Sequence, residues 1–314
     1  VKILVTGGAG FIGSHVCDAF LALGHEVHAL DDLSSGKREN LDPRVKLHVA
    51  DIRSKEAHAL ILEQKFEAMA HLAAQMDVRK SVADPRFDAD VNIGGFLNLL
   101  EAGAKSGLKR VIFSSTGGAI YGEQDVFPAP ETHPTRPVSP YGTSKAAGEI
   151  YLGYYAAQQG ISYAALRYAN VYGPRQNPHG EAGVVAIFSE RLLDGKPCTI
   201  FGDGKQTRDF VFVKDVARAN AVALTAKFTG PVNIGTGIET DLNELYTVMA
   251  KAAGVPTPAQ YAAKKPGEQM RSCIDNTKAR SVLGWKPEVD LAEGLRQTVA
   301  FFADRKQGKV RQTA

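Results

Sequence analysis

Tyr141 and Lys145 stand four residues apart in "SPYGTSKAAGE". Ser139 fits a helix N-cap and Pro140 the first helical position, so both side chains fall on one face of the helix that starts there. A free tyrosine titrates near pH 10, about three units too high for a base at neutral pH. A neighbouring ammonium and the helix N-terminus favour the phenolate, which could then take a proton from an alcohol. Such a spacing is common by chance on a surface, so it needs a partner. One candidate is "SSTGGAIYG", residues 114–122, which follows the apolar run "RVIF". It puts the hydroxyls of Ser114, Ser115 and Thr116 at the end of a buried strand, the edge at which an open α/β sheet binds ligands. Gly117, Gly118 and Ala119 come next, and no acid precedes Tyr121.

A third stretch, "VTGGAGFIG", offers a place for a dinucleotide. Gly7, Gly10 and Gly13 lie where the first apolar run turns into a helix, with Phe11 and Ile12 between them. Glycines there let the backbone approach a pyrophosphate resting on the helix N-terminus. Asp31 ends the next strand, 24 residues after Gly7. A carboxylate at that point accepts from a ribose 2′-hydroxyl and repels a 2′-phosphate, so NAD is the expected cofactor. Lys37 and Arg38 read as a solvated loop. Asp51 and Ile52, and Leu72, Ala73 and Ala74 of "HLAA", end the following two strands, within reach of the adenine and the pyrophosphate. A bound nicotinamide cation would further favour the Tyr141 phenolate.

These groups need elements to hold them. The strand-like runs "KILVTG", "EVHALDD", "VKLHVAD", "FEAMAHLAA", "RVIFSS" and "SYAALRYANVYG" alternate with helical stretches, including "DADVNIGGFLNLLEAGAKSG" and "KAAGEIYLGYYAAQQG". That alternation predicts an α/β fold, a Rossmann-type doubly wound parallel sheet with helices on both faces. After Gly173 the pattern changes: a loop-rich stretch and the helix "VVAIFSERLLDGK" come first. "FVFVKDVARANAVALTA" and "PVNIG" then resume strand-helix-strand. The expected division is an NAD-binding domain of residues 1–172 plus about 210–238. A smaller, mostly helical C-terminal lobe takes about 173–209 plus 239–314 and binds the substrate.

Composition bounds the function. The 314 residues suffice for a large buried core, and 44% apolar with 23% charged content is that of a globular chain. Lys and Arg at 37 against Asp and Glu at 34 leave +3 with no dense basic block, which speaks against nucleic acid. No apolar stretch has the length of a membrane span. The opening "VKILVTGG" lacks a charged leader region. Cys17, Cys198 and Cys273 lie far apart and match no zinc spacing, and the histidines are scattered, so no metal site is expected. The expected compartment is the cytoplasm.

Together, "TGGAGFIG", "SSTGGAIYG", "SPYGTSK" and "LRYANVYGPRQ" resemble the extended short-chain dehydrogenase/reductase family. Within it the sequence is similar to the nucleotide-sugar 4-epimerases of the UDP-glucose 4-epimerase type, from Val1 to about Phe302. The resemblance implies that Tyr141 is the base, that Lys145 tunes it and holds the nicotinamide ribose, and that Thr116 hydrogen-bonds the sugar 4-hydroxyl. Ser115 could share that hydroxyl role. Ser114, Asn92 and Tyr168 would support the cofactor side, and Asn170 would reach the substrate. The implied reaction is a closed redox cycle: C4 is oxidised by tightly held NAD, the 4-keto sugar turns over, and the hydride returns to the other face. Dehydratases of the same family carry an Asp-Glu pair after the hydroxyl, and the related decarboxylases a Glu. Gly117, Gly118 and Ala119 offer no such acid, which favours epimerisation.

The resemblance also assigns the UDP anchor. Arg208 resembles the family's pyrophosphate-binding Arg, suited to the task by its forked geometry. Thr199, Ile200 and Phe201 resemble the uridine-contact segment, with Val184 and Val185 adding to it. In "KKPGEQMRSCID", Lys265 and Glu268 stand where relatives often have Arg and Asp, and Arg271 could share the phosphate role. Ser272 occupies a position where a bulky Tyr in some relatives restricts the pocket to plain hexoses. A small residue there implies room for an N-acetyl group. The helices expected at 90–105 and 145–158 resemble the family's dimer-forming pair, which implies a homodimer. The rival readings are a decarboxylase, dehydratase or reductase of the same fold, and a non-catalytic NAD-sensing protein.

Overall fold

Ile3, Leu4 and Val5 are all buried although their side chains alternate in direction, so the first strand is covered on both faces. The computed structural model, which describes residues 1–179, 183–255, 258–264 and 269–309, shows why. In chain order the strands are β1 (Lys2–Thr6), β2 (Glu26–Asp31), β3 (Lys46–Val49), β4 (Ala68–His71), β5 (Arg110–Thr116), β6 (Ser162–Tyr168) and β7 (Asn170–Tyr172). They continue with β8 (Thr199–Phe201), β9 (Thr207–Arg208), β10 (Phe210–Phe212), β11 (Gly230–Ile234), β12 (Thr240–Asp241), β13 (Gln260–Ala262) and β14 (Arg271–Ser272). The helices are α1 (Phe11–Ala22), α2 (Lys55–Gln64), α3 (Val78–Ala83), α4 (Pro85–Ala89), α5 (Phe96–Ser106) and α6 (Gly117–Tyr121). They continue with α7 (Pro140–Gln159), α8 (Val184–Leu193), α9 (Val213–Thr225), α10 (Leu242–Ala253), α11 (Thr277–Leu283) and α12 (Leu291–Lys306).

Seven strands form one parallel sheet in the order β11-β6-β5-β4-β1-β2-β3. Strand order reverses between β1 and β4, the switch point at which ligands bind in doubly wound sheets. One face packs Ile3 and Val5 against Val16 and Phe20 of α1 and Val216 of α9. The other packs Leu4 and Leu30 against Ile61 of α2, Leu99 of α5 and Leu152 of α7. The lobe has its own core, built from Phe188, Leu192, Ile200, Leu245, Met249, Leu295 and Val299.

Four local features depart from the periodic reading. The stretch beginning "DADVNIGG" is not one continuous α-helix, because a π turn at Asp90–Gly95 separates α4 from α5. A β-carbon at Gly95 would lie 2.7 Å from Ile52 Cδ1, so the glycine permits close packing there. A short helix, α6, follows β5 directly, with Thr116 as its N-cap. β10 pairs with β7 outside the main sheet, whereas β11 completes that sheet beside β6. Finally, α11 and Trp285, which the sequence groups with the lobe, return to the larger core. Trp285 is fully buried there, and its indole nitrogen donates to the Asp215 carbonyl at 2.9 Å.

Candidate active site

β1 ends at Thr6, and Gly7 follows in a left-handed conformation with φ +66°. A β-carbon at Gly7 would lie 2.8 Å from the Ala73 amide nitrogen, so the turn after β1 and the "HLAA" segment after β4 meet backbone to backbone. Thr6 fixes that meeting. Its Oγ1 accepts from the Leu72 and Ala73 amides and donates to Nδ1 of the buried His71, 2.9 Å away. Burial pushes the His71 imidazole far below its usual value, with Lys145 adding to the effect, and keeps it neutral. α1 begins at Gly10 without a side-chain cap, which leaves its first amides for a ligand.

The turn opens into a cleft of about 1210 Å³. Gly7, Gly10, Phe11, Ile12 and Gly13 line it, with Asp31, Asp51, Ile52, Leu72, Ala73, Ala74 and Ser114. Asp31 accepts from the Ala9 amide at 2.9 Å and the Leu33 amide at 2.8 Å, and Gly36 permits the loop to pass against its carboxylate. Burial raises the Asp31 pKa while these amides oppose the rise. Lys37, read from the sequence as a solvated loop residue, stands on the cleft wall. A glycine turn with no room for side chains, uncapped helix amides and a carboxylate at the far end fit a dinucleotide pyrophosphate and ribose.

The catalytic candidates converge from β5 and α7. Ser139 Oγ accepts from the Gly142 amide at 3.2 Å and starts α7 as the sequence predicts. Lys145 is buried, and its Nζ donates to the Ser114 carbonyl at 2.8 Å, tying α7 to the end of β5. The same Nζ lies 5.8 Å from the centre of the Tyr141 ring. Burial pushes the Tyr141 phenol up to about 12, with the Asp88 charge adding to it, and pushes the Lys145 amine down to about 8 against the pull of Asp88. Burial thus opposes the expected lowering of the tyrosine, and a bound nicotinamide cation would counter it.

Thr116 Oγ1 accepts from the Ala119 amide at 3.2 Å, which leaves its hydroxyl hydrogen to donate. Ser115 points the other way. It is buried, and its Oγ donates to Glu149 Oε1 at 2.6 Å, so the expectation that it shares the hydroxyl role is corrected by strand alternation. Tyr168 is buried behind Ser114 and accepts from Asn220 at 2.8 Å. Asn92 is buried in the π turn, accepts from the Gln75 amide and donates to the Gln75 carbonyl, holding the segment after "HLAA". Both act behind the cleft wall.

β9 lies between β12 and β14, which sets Arg208 opposite Ser272 and Thr207 opposite Arg271. Arg208 donates to the Thr207 carbonyl at 2.8 Å. Arg271 spends its fork on Glu239, at 2.9 and 2.5 Å, and stacks 3.8 Å from the centre of the Phe127 ring. A phosphate would have to compete with that pair. Ser272 is buried, and its Oγ lies 3.7 Å from where a Gly118 β-carbon would be. The side chains of Val185 and Ile200 are buried in the lobe core. Val184, Thr199 and Phe201 are partly buried, and Asn170 is exposed at the start of β7. Lys265 and Glu268 lie outside the described residues.

The sequence reading missed Thr6, His71, Gln75, Asp88 and Glu149. Each acts through hydrogen bonds to residues distant in the chain, a pairing that no local pattern reveals. Among the described residues no group of three His, Cys, Asp or Glu could hold a metal ion, and no helix is long and apolar enough to cross a membrane.

Comparison with known proteins agrees with this geometry. A UDP-glucose 4-epimerase of Mycolicibacterium smegmatis is 48% identical over 98% of this chain and 100% of its own. The crystal structure of a Thermotoga maritima UDP-glucose 4-epimerase with UDP-glucose superposes with a TM-score of 0.95 at 48% identity, covering 98% of this chain and 100% of that one. A Thermus thermophilus UDP-glucose 4-epimerase in complex with NAD superposes at 0.91 with 46% identity, covering 96% and 99%. Residues 3–235 match the NAD dependent epimerase/dehydratase family, and the chain belongs to that family.

Proposed function

We propose that this chain is an NAD-dependent UDP-glucose 4-epimerase that interconverts UDP-glucose and UDP-galactose. One observation carries the reading: Lys145, 5.8 Å from the Tyr141 ring, is tied to the carbonyl of Ser114 on the cleft wall, and no acid follows Thr116, two residues on. A β-carbon at Gly117 would lie 2.9 Å from Ile274 Cδ1 and Cγ2, so the acid that a dehydratase needs there has no room unless Ile274 moves. Elimination is disfavoured by packing as well as by residue type.

In this mechanism Thr116 donates to the sugar 4-hydroxyl oxygen and orients it toward Tyr141. Tyr141, as phenolate, takes the hydroxyl proton and later returns it. Lys145, anchored on the Ser114 carbonyl, supplies the positive charge that stabilises the phenolate. NAD, held by the turn after β1 and by Asp31, supplies the hydride acceptor at C4 and returns the hydride to the opposite face. Arg208 and the neighbouring strands of the lobe anchor the UDP moiety while the sugar turns over.

Ser272 supports a second substrate pair. Its small side chain lies opposite Gly118, where a bulkier one would intrude, and this supports acceptance of the UDP-N-acetylhexosamines as well. A homodimer is supported by the exposed Ile150, Tyr151 and Tyr154, which share one face of α7. A cytoplasmic location is supported by the free, buried Cys17, Cys198 and Cys273.

The test is incubation with UDP-galactose, without added NAD, and detection of UDP-glucose by NMR. Product that disappears in Tyr141→Phe supports the reading. Absence of product with NAD supplied overturns it in favour of another family reaction or an NAD-sensing role.

A further inference from the structure

Asp88 has no exposed surface, and the mechanism above does not use it. Its Oδ2 accepts from Ser144 Oγ at 2.7 Å, and its Oδ1 accepts from Gln75 Nε2 and Asn92 Nδ2 at 3.0 Å each. Both oxygens act only as acceptors, the pattern of an ionised carboxylate. All three donors are neutral, and no cation among the described residues pairs with it. A buried charge is costly, and the hydrogen bonds from these three donors offset part of that cost while leaving its field on its neighbours.

The donors show where that field acts. Ser144 immediately precedes Lys145 on α7, Gln75 follows the Leu72–Ala74 wall of the cleft, and Asn92 sits in the π turn. Ser144 lies one turn after Tyr141 and next to Lys145 on α7, so these are the ionisable groups nearest along that helix, and both feel the Asp88 charge. Asp88 disfavours a second negative charge on Tyr141 and favours the ammonium on Lys145.

We propose that Asp88 is a positioning residue whose fixed negative charge sets the working pH of the Tyr141–Lys145 pair from behind α7. The proposal rests on Tyr141 being the base of the reaction proposed above. Without the charge, both groups release their protons at lower pH, so both limbs of a pH–rate profile move toward acid.

Asp88→Asn keeps the shape and removes the charge. The NAD-loaded wild type and variant are compared in two ways. The first is turnover of UDP-galactose against pH. The second is titration of tyrosinate absorbance without substrate, with Tyr141→Phe as the blank. The expected result is an acid shift of roughly one pH unit in both limbs and in the tyrosinate midpoint. Ser144→Ala, which cuts one tie and keeps the charge, should leave the midpoints in place, and so should Asp88→Glu. Coincident profiles for Asp88→Asn and wild type overturn the proposal. So does an alkaline shift, or an equal displacement in Ser144→Ala or Asp88→Glu. If the wild type does not turn over UDP-galactose, the functional reading fails, while the substrate-free titration still decides on Asp88.

Discussion

Ser115 and Thr116 are neighbours on β5 and serve opposite faces of the sheet. Ser115 Oγ donates to Glu149, which is also held by Nε and Nη2 of the buried Arg167 at 3.0 and 2.6 Å. Thr116 caps α6, accepting from the Ala119 amide, and keeps a hydrogen to donate. Thr116→Val is expected to lower kcat by about 10²-fold, the usual loss when one preorganised donor is removed. Ser115→Ala should leave kcat within roughly threefold and lower stability by about 1–2 kcal/mol, because it strands part of a buried carboxylate. Turnover and chemical denaturation of both variants check this. Comparable kcat losses would place both hydroxyls at the sugar.

The glycine turn makes a steric prediction. A β-carbon at Gly13 would overlap the Gly7 carbonyl oxygen, with nothing flexible to give way. Gly13→Ala should therefore be purified with little bound NAD and have a lower Tm. Asp31→Asn should weaken NAD by about 10-fold or more, since it removes a charged acceptor and loosens the Ala9 and Leu33 amides. Retained cofactor, measured after denaturation, reads both. Full occupancy in Gly13→Ala would show that the turn can rearrange.

Acid should weaken the fold through histidines held neutral. Burial lowers His15 to about 3, with Arg175 adding to it, and lowers His28, His48 and His71 as well. The unfolded chain takes up these protons first, at about pH 6.5. This stability is complete above that value and is lost as pH falls toward the folded values, at up to about 1.4 kcal/mol per pH unit for each of His15 and His71. Tm should drop steadily from pH 7 to pH 5, and His15→Gln should flatten the slope by about one proton. A Tm that does not change over that range would contradict the assignment.

Ser272→Tyr should separate the two substrate pairs. A phenol at this buried position would fill the space in front of Gly118. Turnover of UDP-N-acetylgalactosamine should fall by more than about 10-fold, while UDP-galactose is spared within a few fold. Equal losses on both pairs would mean that residue 272 acts on packing.

The residues legible in the sequence were those whose position follows from local backbone geometry. The Gly7–Gly13 turn, the Asp31 terminus of β2 and the Ser139 cap that aligns Tyr141 with Lys145 are set within a few residues, and the structure brings them to one edge of the sheet. What stayed hidden depends on partners far along the chain. Ser115 looks like Thr116 until Glu149, 34 residues later, claims it. Arg271 reads as an open cation until Glu239 pairs with it. The burial of the Ile200 side chain appears only once the core of the lobe is assembled around it. The π turn escaped a periodic reading because its extra residue changes the phase of an otherwise helical pattern.

The return of Trp285 to the larger core bears on how the cleft can move. Asp215, in the first turn of α9, accepts the Trp285 indole N–H at its carbonyl and the Glu288 and Val289 amides at its carboxylate. The chain thus passes between sheet and lobe at residues 172–174, again near Asp209 and Gly235, and again after Leu283. Two bodies joined at one hinge swing freely, whereas two bodies stitched by several passes move only if every stitch bends at once. A dinucleotide seated between them would have to leave by a collective deformation rather than by the flap of a loop. Slow release would then be a consequence of chain threading as much as of contacts in the cleft.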